Sequence, residues 1–169
     1  MSKKGNKLKK SKKSLVDRTE FTIKENGFKF TTAYHAMGYG KPNKTEWCIK
    51  NTEAVECFKN ACLHSLSHTV NGKIGDIKGM DYVWFNDNLN GMCSILYEKN
   101  NNGVTTMALR KLGENGERFA FFPKTNNYGE TWHGYPVTGE KIQKLLLEYW
   151  ESQRIISKLD CHRVKKGKL

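Results

Sequence analysis

The net charge of this chain lies at its two ends, which leaves a neutral body as the part able to fold. The chain has 29 Lys and Arg against 17 Asp and Glu, a formal net charge of +12. Residues 1–16 contain seven lysines and no acid, and residues 154–169 contain six basic residues and one acid. Charged segments of low hydrophobicity cannot bury enough apolar surface to fold. We therefore expect a disordered basic arm over 1–18, a folded domain over 19–153 and a basic C-terminal tail over 154–169.

The basic ends favour a polyanionic partner. The chain has 24 Lys and 5 Arg, and lysine neutralises phosphate as a point charge, whereas arginine supplies the planar fork that reads bases. Lysine-rich arms bind phosphates without choosing a sequence. Alternatively, the N-terminal lysines solubilise the chain or, in a eukaryotic host, address it to the nucleus. The nucleic-acid-binding candidates at the two ends are Lys9, Lys10, Lys12, Lys13, Lys165 and Lys166.

The remaining composition favours a cytoplasmic protein, or a nuclear one in a eukaryote. No segment approaches the roughly 18–20 apolar residues of a membrane-spanning helix, and the lysines of the N-terminal segment are followed by no apolar run of the kind a secretory signal has. The lysines also lack an apolar anchor beside them, so we expect no membrane partner. The five cysteines are odd in number and irregularly spaced, which indicates reduced thiols.

Periodicity predicts an α+β fold. Asn26-Gly27 is a strong hairpin signal between residues 20–24 and 28–34, where apolar residues alternate. A helix is predicted over 53–69, with Thr52 as its N-cap. Four strand candidates with turn-rich connectors follow, and they predict an antiparallel four-stranded meander. A C-terminal helix over 139–153 is expected to pack on this sheet. The four strand candidates span residues 82–85, 92–97, 105–110 and 118–122.

The segment 128–136 is the most functional-looking loop in the sequence. Its three aromatic residues, Tyr128, Trp132 and Tyr135, are candidates for stacking on exposed bases. His133 has an ordinary pKa near neutrality and is a candidate general acid or base. The alternative is a structural loop whose aromatic rings cap the core.

A second hypothesis makes the protein a metal-independent ribonuclease of a toxin or defence type. His133 and His35 would exchange the protons of the cleavage step, and Arg110 would steady the charged phosphate. These three residues are the catalytic candidates, and the hypothesis requires that they meet in space. A third hypothesis is an adaptor whose neutral body docks a protein partner.

One further cluster has metal-ligand spacing but an incomplete ligand set. Cys57, His64 and His68 fall on one side of the predicted helix. The general-base glutamate of an H-E-x-x-H motif is missing, and no other ligand is evident. We therefore expect no metal and no cofactor. The leading prediction is a nucleic-acid-binding protein, with RNA as its partner.

Overall fold

The computed structural model describes residues 20–24, 27–32, 45–66, 85–86, 91–125 and 129–169, and they form an α+β fold. Two short strands come first, β1 (Glu20–Thr22) and β2 (Lys29–Thr31), and they pair antiparallel. Gly27 has a φ of 71°, a left-handed conformation that glycine adopts without a steric penalty. Residues 33–44, which include part of the second predicted strand, lie outside the described residues.

Helix α1 (Asn51–Leu66) begins two residues earlier than the sequence predicts. The Glu53 carboxylate accepts a hydrogen bond from the Lys50 backbone N–H at 2.9 Å, so an acidic side chain supports the helix start. The predicted end at residue 69 lies outside the described residues. One face of α1 is completely buried, with Ala54, Cys57, Phe58, Ala61 and Cys62 in the core.

The largest sheet has four strands, in the order β3, β4, β7, β9, and each neighbouring pair is antiparallel. Its central strands are buried along almost their whole length. The four strands are β3 (Phe85–Asn86), β4 (Gly91–Ser94), β7 (Phe119–Pro123) and β9 (Tyr135–Val137).

This order differs from the predicted meander. Strands β5 (Tyr97–Lys99) and β6 (Thr105–Leu109) form a separate two-stranded sheet, and β4 pairs with β7 instead. The physical reason is burial. The side chains of β6 are mostly exposed or half-buried, and Met107 is 58% exposed, whereas β7 offers four consecutive buried residues. A central strand covered on both faces requires an apolar run such as that of β7.

Strand β7 divides the core into two layers because its successive side chains point to opposite faces. Ala120 and Phe122 belong to the core cluster that contains α1, and Phe119 and Phe121 belong to the cluster that contains the C-terminal helices. A third small sheet lies on the α1 side, where β8 (Trp132–His133) pairs in parallel with β2. The four-stranded sheet is therefore packed between two apolar layers, one containing α1 and one containing the C-terminal helices.

The C-terminal region also differs from its prediction. The predicted single helix is a 3₁₀ turn (Gly139–Lys141) followed by α2 (Lys144–Ser152). Arg154 has a φ of 58°, which ends α2 and redirects the chain. The segment 154–169, expected to be a basic tail, contains a third helix, α3 (Lys158–Lys165). No helix in the described ranges is long and apolar enough to cross a membrane.

Candidate nucleic-acid interface

Helix α3 is ordered by a cap and two apolar anchors. The Ser157 hydroxyl accepts a hydrogen bond from the Asp160 backbone N–H at 3.0 Å, which satisfies one of the free donors of the first turn. Cys161 and Val164 are buried at 1% and 4% exposure, in the core cluster that contains α2. The basic C-terminal segment is therefore held against the body of the protein along this helix.

The helix end is held against the 3₁₀ turn by close packing. Gly139 lies so near α3 that a Cβ at this position would come within 2.8 Å of a Val164 methyl group. The Gly139 backbone N–H also donates to the Leu169 carbonyl oxygen at 3.0 Å. The approach needs a residue without a side chain, so Gly139 helps to set the orientation of α3.

The outward face of α3 is basic. At 100° per residue, Lys158, His162 and the C-cap residue Lys166 follow one another at intervals of four, within an arc of about 80° that excludes the buried Cys161 and Val164. All three are exposed. In a helix their Cα atoms are about 6 Å apart along the axis. Leu159 is 60% exposed on the same face and adds an apolar contact beside the cations.

Acidic neighbours offset the positive charge at the edges of this face and not at its centre. Arg163 pairs with Asp160 at 3.6 Å, and Lys165 pairs with Glu148 of α2 at 3.6 Å. Among the described residues, no ion pair engages Lys158 or Lys166. The centre of the face thus keeps its positive charge. We call the surface of Lys158, Leu159, His162, Arg163 and Lys166 the α3 basic face.

Two of the residues predicted at the basic ends can be located. Lys166 lies on the α3 basic face, and Lys165 lies at its edge, 36% exposed at the side chain and paired to Glu148. Lys158, His162 and Arg163 were not among the residues predicted from the sequence, because this segment was expected to be a tail. The capping signal Ser157-x-x-Asp160 could have located the helix. The N-terminal candidates Lys9, Lys10, Lys12 and Lys13 lie outside the described residues.

Of the aromatic residues predicted to stack on bases, Trp132 is a core residue and Tyr135 is half-buried. Trp132 is 1% exposed and lies 5.9 Å from both Phe28 and Phe58, measured between ring centroids. A buried ring cannot stack on a base, so Trp132 caps the core instead. Tyr135 is half-buried, with its ring in edge contact with Phe121 at 5.5 Å. Burial, with a smaller contribution from Cys93, raises the pKa of its hydroxyl. Tyr128 lies outside the described residues.

Two of the three catalytic candidates, Arg110 and His133, lie among the described residues. Arg110 follows β6, and its guanidinium lies 2.8 Å from the Glu53 carboxylate and 3.5 Å from that of Glu98. His133 lies on β8, in register with Thr31 of β2, and is half-buried. His35 lies outside the described residues. Arg110 thus faces two carboxylates, which offset the positive charge of its guanidinium.

The predicted absence of a metal was based on an incomplete ligand set. Cys57 is completely buried, and burial, followed by the charge of Glu56, raises the pKa of its thiol. A protonated thiol is a poor metal ligand. Within the described residues, no group of three or more His, Cys, Asp or Glu side chains could hold a metal ion. The His68 position and the His64 side chain lie outside them.

No protein-family model, no curated protein and no solved structure matches the chain.

Proposed function

We propose that this protein binds nucleic acid, with RNA as its partner, through the α3 basic face and the lysine-rich first sixteen residues. The observation that carries the proposal is the outward row of Lys158, His162 and Lys166 on a helix that is anchored by buried residues. A fixed row of cations neutralises successive phosphates at a lower entropic cost than a flexible tail does.

The charge distribution supports this mode of binding. The seven lysines of residues 1–16 add a second cationic segment to a body that is neutral overall. Lysine contacts to phosphate give affinity that falls with salt and carry no sequence information.

Binding is favoured over cleavage by the environment of Arg110. Its guanidinium is bound by the carboxylates of Glu53 and Glu98, which offsets the charge that a ribonuclease would place against a phosphate. We therefore expect RNA to remain intact in the presence of the protein and EDTA.

The test is fluorescence anisotropy with labelled single-stranded RNA, and DNA of the same sequence, at salt concentrations between roughly 50 and 200 mM. The double variant Lys158→Gln/Lys166→Gln should weaken binding at low salt by roughly tenfold. It should also lower the slope of log affinity against log salt by about 1 for each lysine removed. Both lysines are exposed, so the substitutions leave the core intact.

A matched control makes the same change of charge in the β1–β2 region, away from α3 in the sequence. Lys24→Gln/Lys29→Gln alters two exposed lysines of the β1–β2 region, and among the described residues Lys29 pairs only with the exposed Glu20, at 3.7 Å. The control should bind as the unmodified protein does. Equal losses in the two double variants would show that net charge, and not the α3 basic face, governs binding. Absence of binding to RNA and DNA at low salt would refute the proposed function, and cleaved RNA on a denaturing gel would favour the ribonuclease.

A further inference from the structure

A cavity of about 220 Å³ lies between α1, the β5–β6 sheet and the segment that precedes α3. Its apolar part is formed by Ile95, Leu96 and Ile155. The volume corresponds to roughly seven water molecules at liquid density. A site of this size suits one small planar group and is smaller than the usual pocket for a drug-sized ligand.

The α1 wall of the cavity carries two carboxylates and one amide. Glu53, Glu56 and Asn60 line it, and their spacing of three and four residues places them on one side of the helix. Glu53 is held by Arg110 and by the Lys50 N–H. Glu56 is exposed, and no ion pair among the described residues engages it. Its carboxylate is therefore the acceptor available to a ligand.

The opposite wall contains two buried donors, the Tyr97 hydroxyl and the Arg110 Nε–H. Neither has a hydrogen-bond partner among the described residues, and both residues line the cavity. Burial, followed by the charge of Asp160, raises the pKa of the Tyr97 hydroxyl, which keeps it a neutral donor. Both donor atoms are almost inaccessible to solvent, so a ligand acceptor reaches them only after a side-chain rotation, and it then recovers the free energy that an unpaired buried donor costs. The tyrosine ring also offers a surface for stacking.

The cavity lies near the start of α3. Ile155, which lines the cavity, is three residues before Lys158, the first residue of the α3 basic face. A nucleic-acid strand bound at Lys158 would thus lie close to the cavity. An unstacked base of that strand could enter it, as single-stranded RNA bases do when proteins read them.

We propose that this cavity binds one guanine base of the bound RNA, an inference that rests on the proposed function. An ionised carboxylate only accepts hydrogen bonds. The Watson–Crick edge of guanine presents two adjacent donors, N1–H and the N2 amino group, which the two oxygens of Glu56 accept together. Adenine and cytosine pair a single donor group with an adjacent ring acceptor, and uracil places its one N–H between two carbonyl oxygens. The Glu56 carboxylate therefore selects guanine.

The test uses labelled single-stranded RNAs made of uridines with one central position occupied by guanine, adenine or uracil. The unmodified protein should bind the guanine-containing RNA about tenfold tighter than the other two. Glu56→Gln should abolish this preference, because an amide offers one acceptor and one donor group. The same variant should bind the uridine RNA no more weakly than the unmodified protein does.

Glu114→Gln is the matched control. Glu114 is exposed in a turn outside the cavity lining, and the substitution removes the same charge. This control should retain the guanine preference. Salt-sensitive binding of all three RNAs with equal affinity would overturn the guanine site and leave the proposed function standing. Absence of binding to every RNA would refute the proposed function and the guanine site with it.

Discussion

Arg110 and Glu53 connect the end of strand β6 to the first turn of helix α1 through a contact of 2.8 Å between the guanidinium Nη2 and the carboxylate Oε1. The two side chains are only 32% and 25% exposed. The same guanidinium reaches Glu98 of β5 at 3.5 Å. The ion pair therefore attaches the small β5–β6 sheet to the helix that packs on the central sheet.

A double-mutant cycle at this pair should give a measurable coupling. Arg110→Met removes the charge and keeps an apolar stem, and Glu53→Gln removes the opposite charge. We expect a coupling free energy of about 1 kcal/mol in urea unfolding, because partly buried pairs are less screened than exposed ones. The exposed pair Lys144–Glu148, at 3.7 Å, is the comparison and should give about 0.5 kcal/mol or less. Equal couplings would show that burial adds nothing at Arg110.

Trp132 should act in the core and not on RNA. Trp132→Ala removes a fully buried indole and should cost about 3–5 kcal/mol of unfolding free energy. Trp132→Leu keeps apolar volume and should cost less, so that a folded protein can be measured. Its RNA affinity should equal that of the unmodified protein, since no stacking surface is lost. A loss of stacking would be worth about 1–3 kcal/mol, and a weakening of that size in folded Trp132→Leu would place the ring on the RNA.

Gly134 should tolerate no side chain. A Cβ at this position would overlap the Phe122 ring and come within 3.0 Å of the Phe121 carbonyl oxygen. The Gly134 carbonyl also accepts the Trp47 indole N–H at 3.1 Å, which limits movement of the backbone. Gly134→Ala should therefore cost about 3 kcal/mol in urea unfolding.

The control for Gly134 is Gly103, which has a φ of 74° and open space around its Cβ position. Gly103→Ala should cost about 1 kcal/mol, the penalty for a left-handed alanine. If the two alanine variants lose the same stability, the close packing at Gly134 is not the dominant effect.

Stability should fall at alkaline pH because buried thiols resist ionisation. Burial, followed by a hydrogen bond to Glu151, raises the pKa of Cys161 from its ordinary value of 9.0 to about 11. Below pH 9 the Cys161 thiol is protonated in both the folded and the unfolded state, and its contribution to the free energy of unfolding is fully present. As pH rises from 9 to about 11, the thiol ionises first in the unfolded state, so this contribution is lost, up to about 2 kcal/mol.

The measurement is the free energy of unfolding in urea under reducing conditions across this pH window. Cys161→Ala should show a shallower decline than the unmodified protein. The decline should not vanish, because the pKa of the buried Cys57 is raised in the same direction. Identical slopes in the two proteins would mean that Cys161 ionises alike when folded and unfolded.

The local patterns of the sequence located much of the secondary structure. The apolar stripe of residues 55, 58 and 62 predicted α1, and the helical spacing of residues 142–150 predicted α2 with an offset at its start. Propensity and periodicity depend on neighbours within a few residues, so they are readable from the chain alone. The capping signal at Ser157 is equally local, but the lysines around it led to the prediction of a basic tail.

Strand pairing was decided by the tertiary structure. The strands β4, β5, β6 and β7 follow one another along the chain, yet β4 pairs with β7. The reason is that β7, unlike β5 and β6, has apolar side chains for both faces of the four-stranded sheet. Contacts between α1, β7 and the C-terminal helices select that partner, and no local pattern encodes them.

The sequence by itself determined the charge of the two ends and the apolar segments able to form a core. Only the tertiary structure decided which functional-looking residues remain available. Burial of Trp132 and the carboxylates around Arg110 remove two candidates, while the anchoring of Cys161 and Val164 turns a basic tail into a basic helical face. The physical reason is that exposure and charge pairing depend on residues distant in the chain, whereas composition is a property of the chain alone.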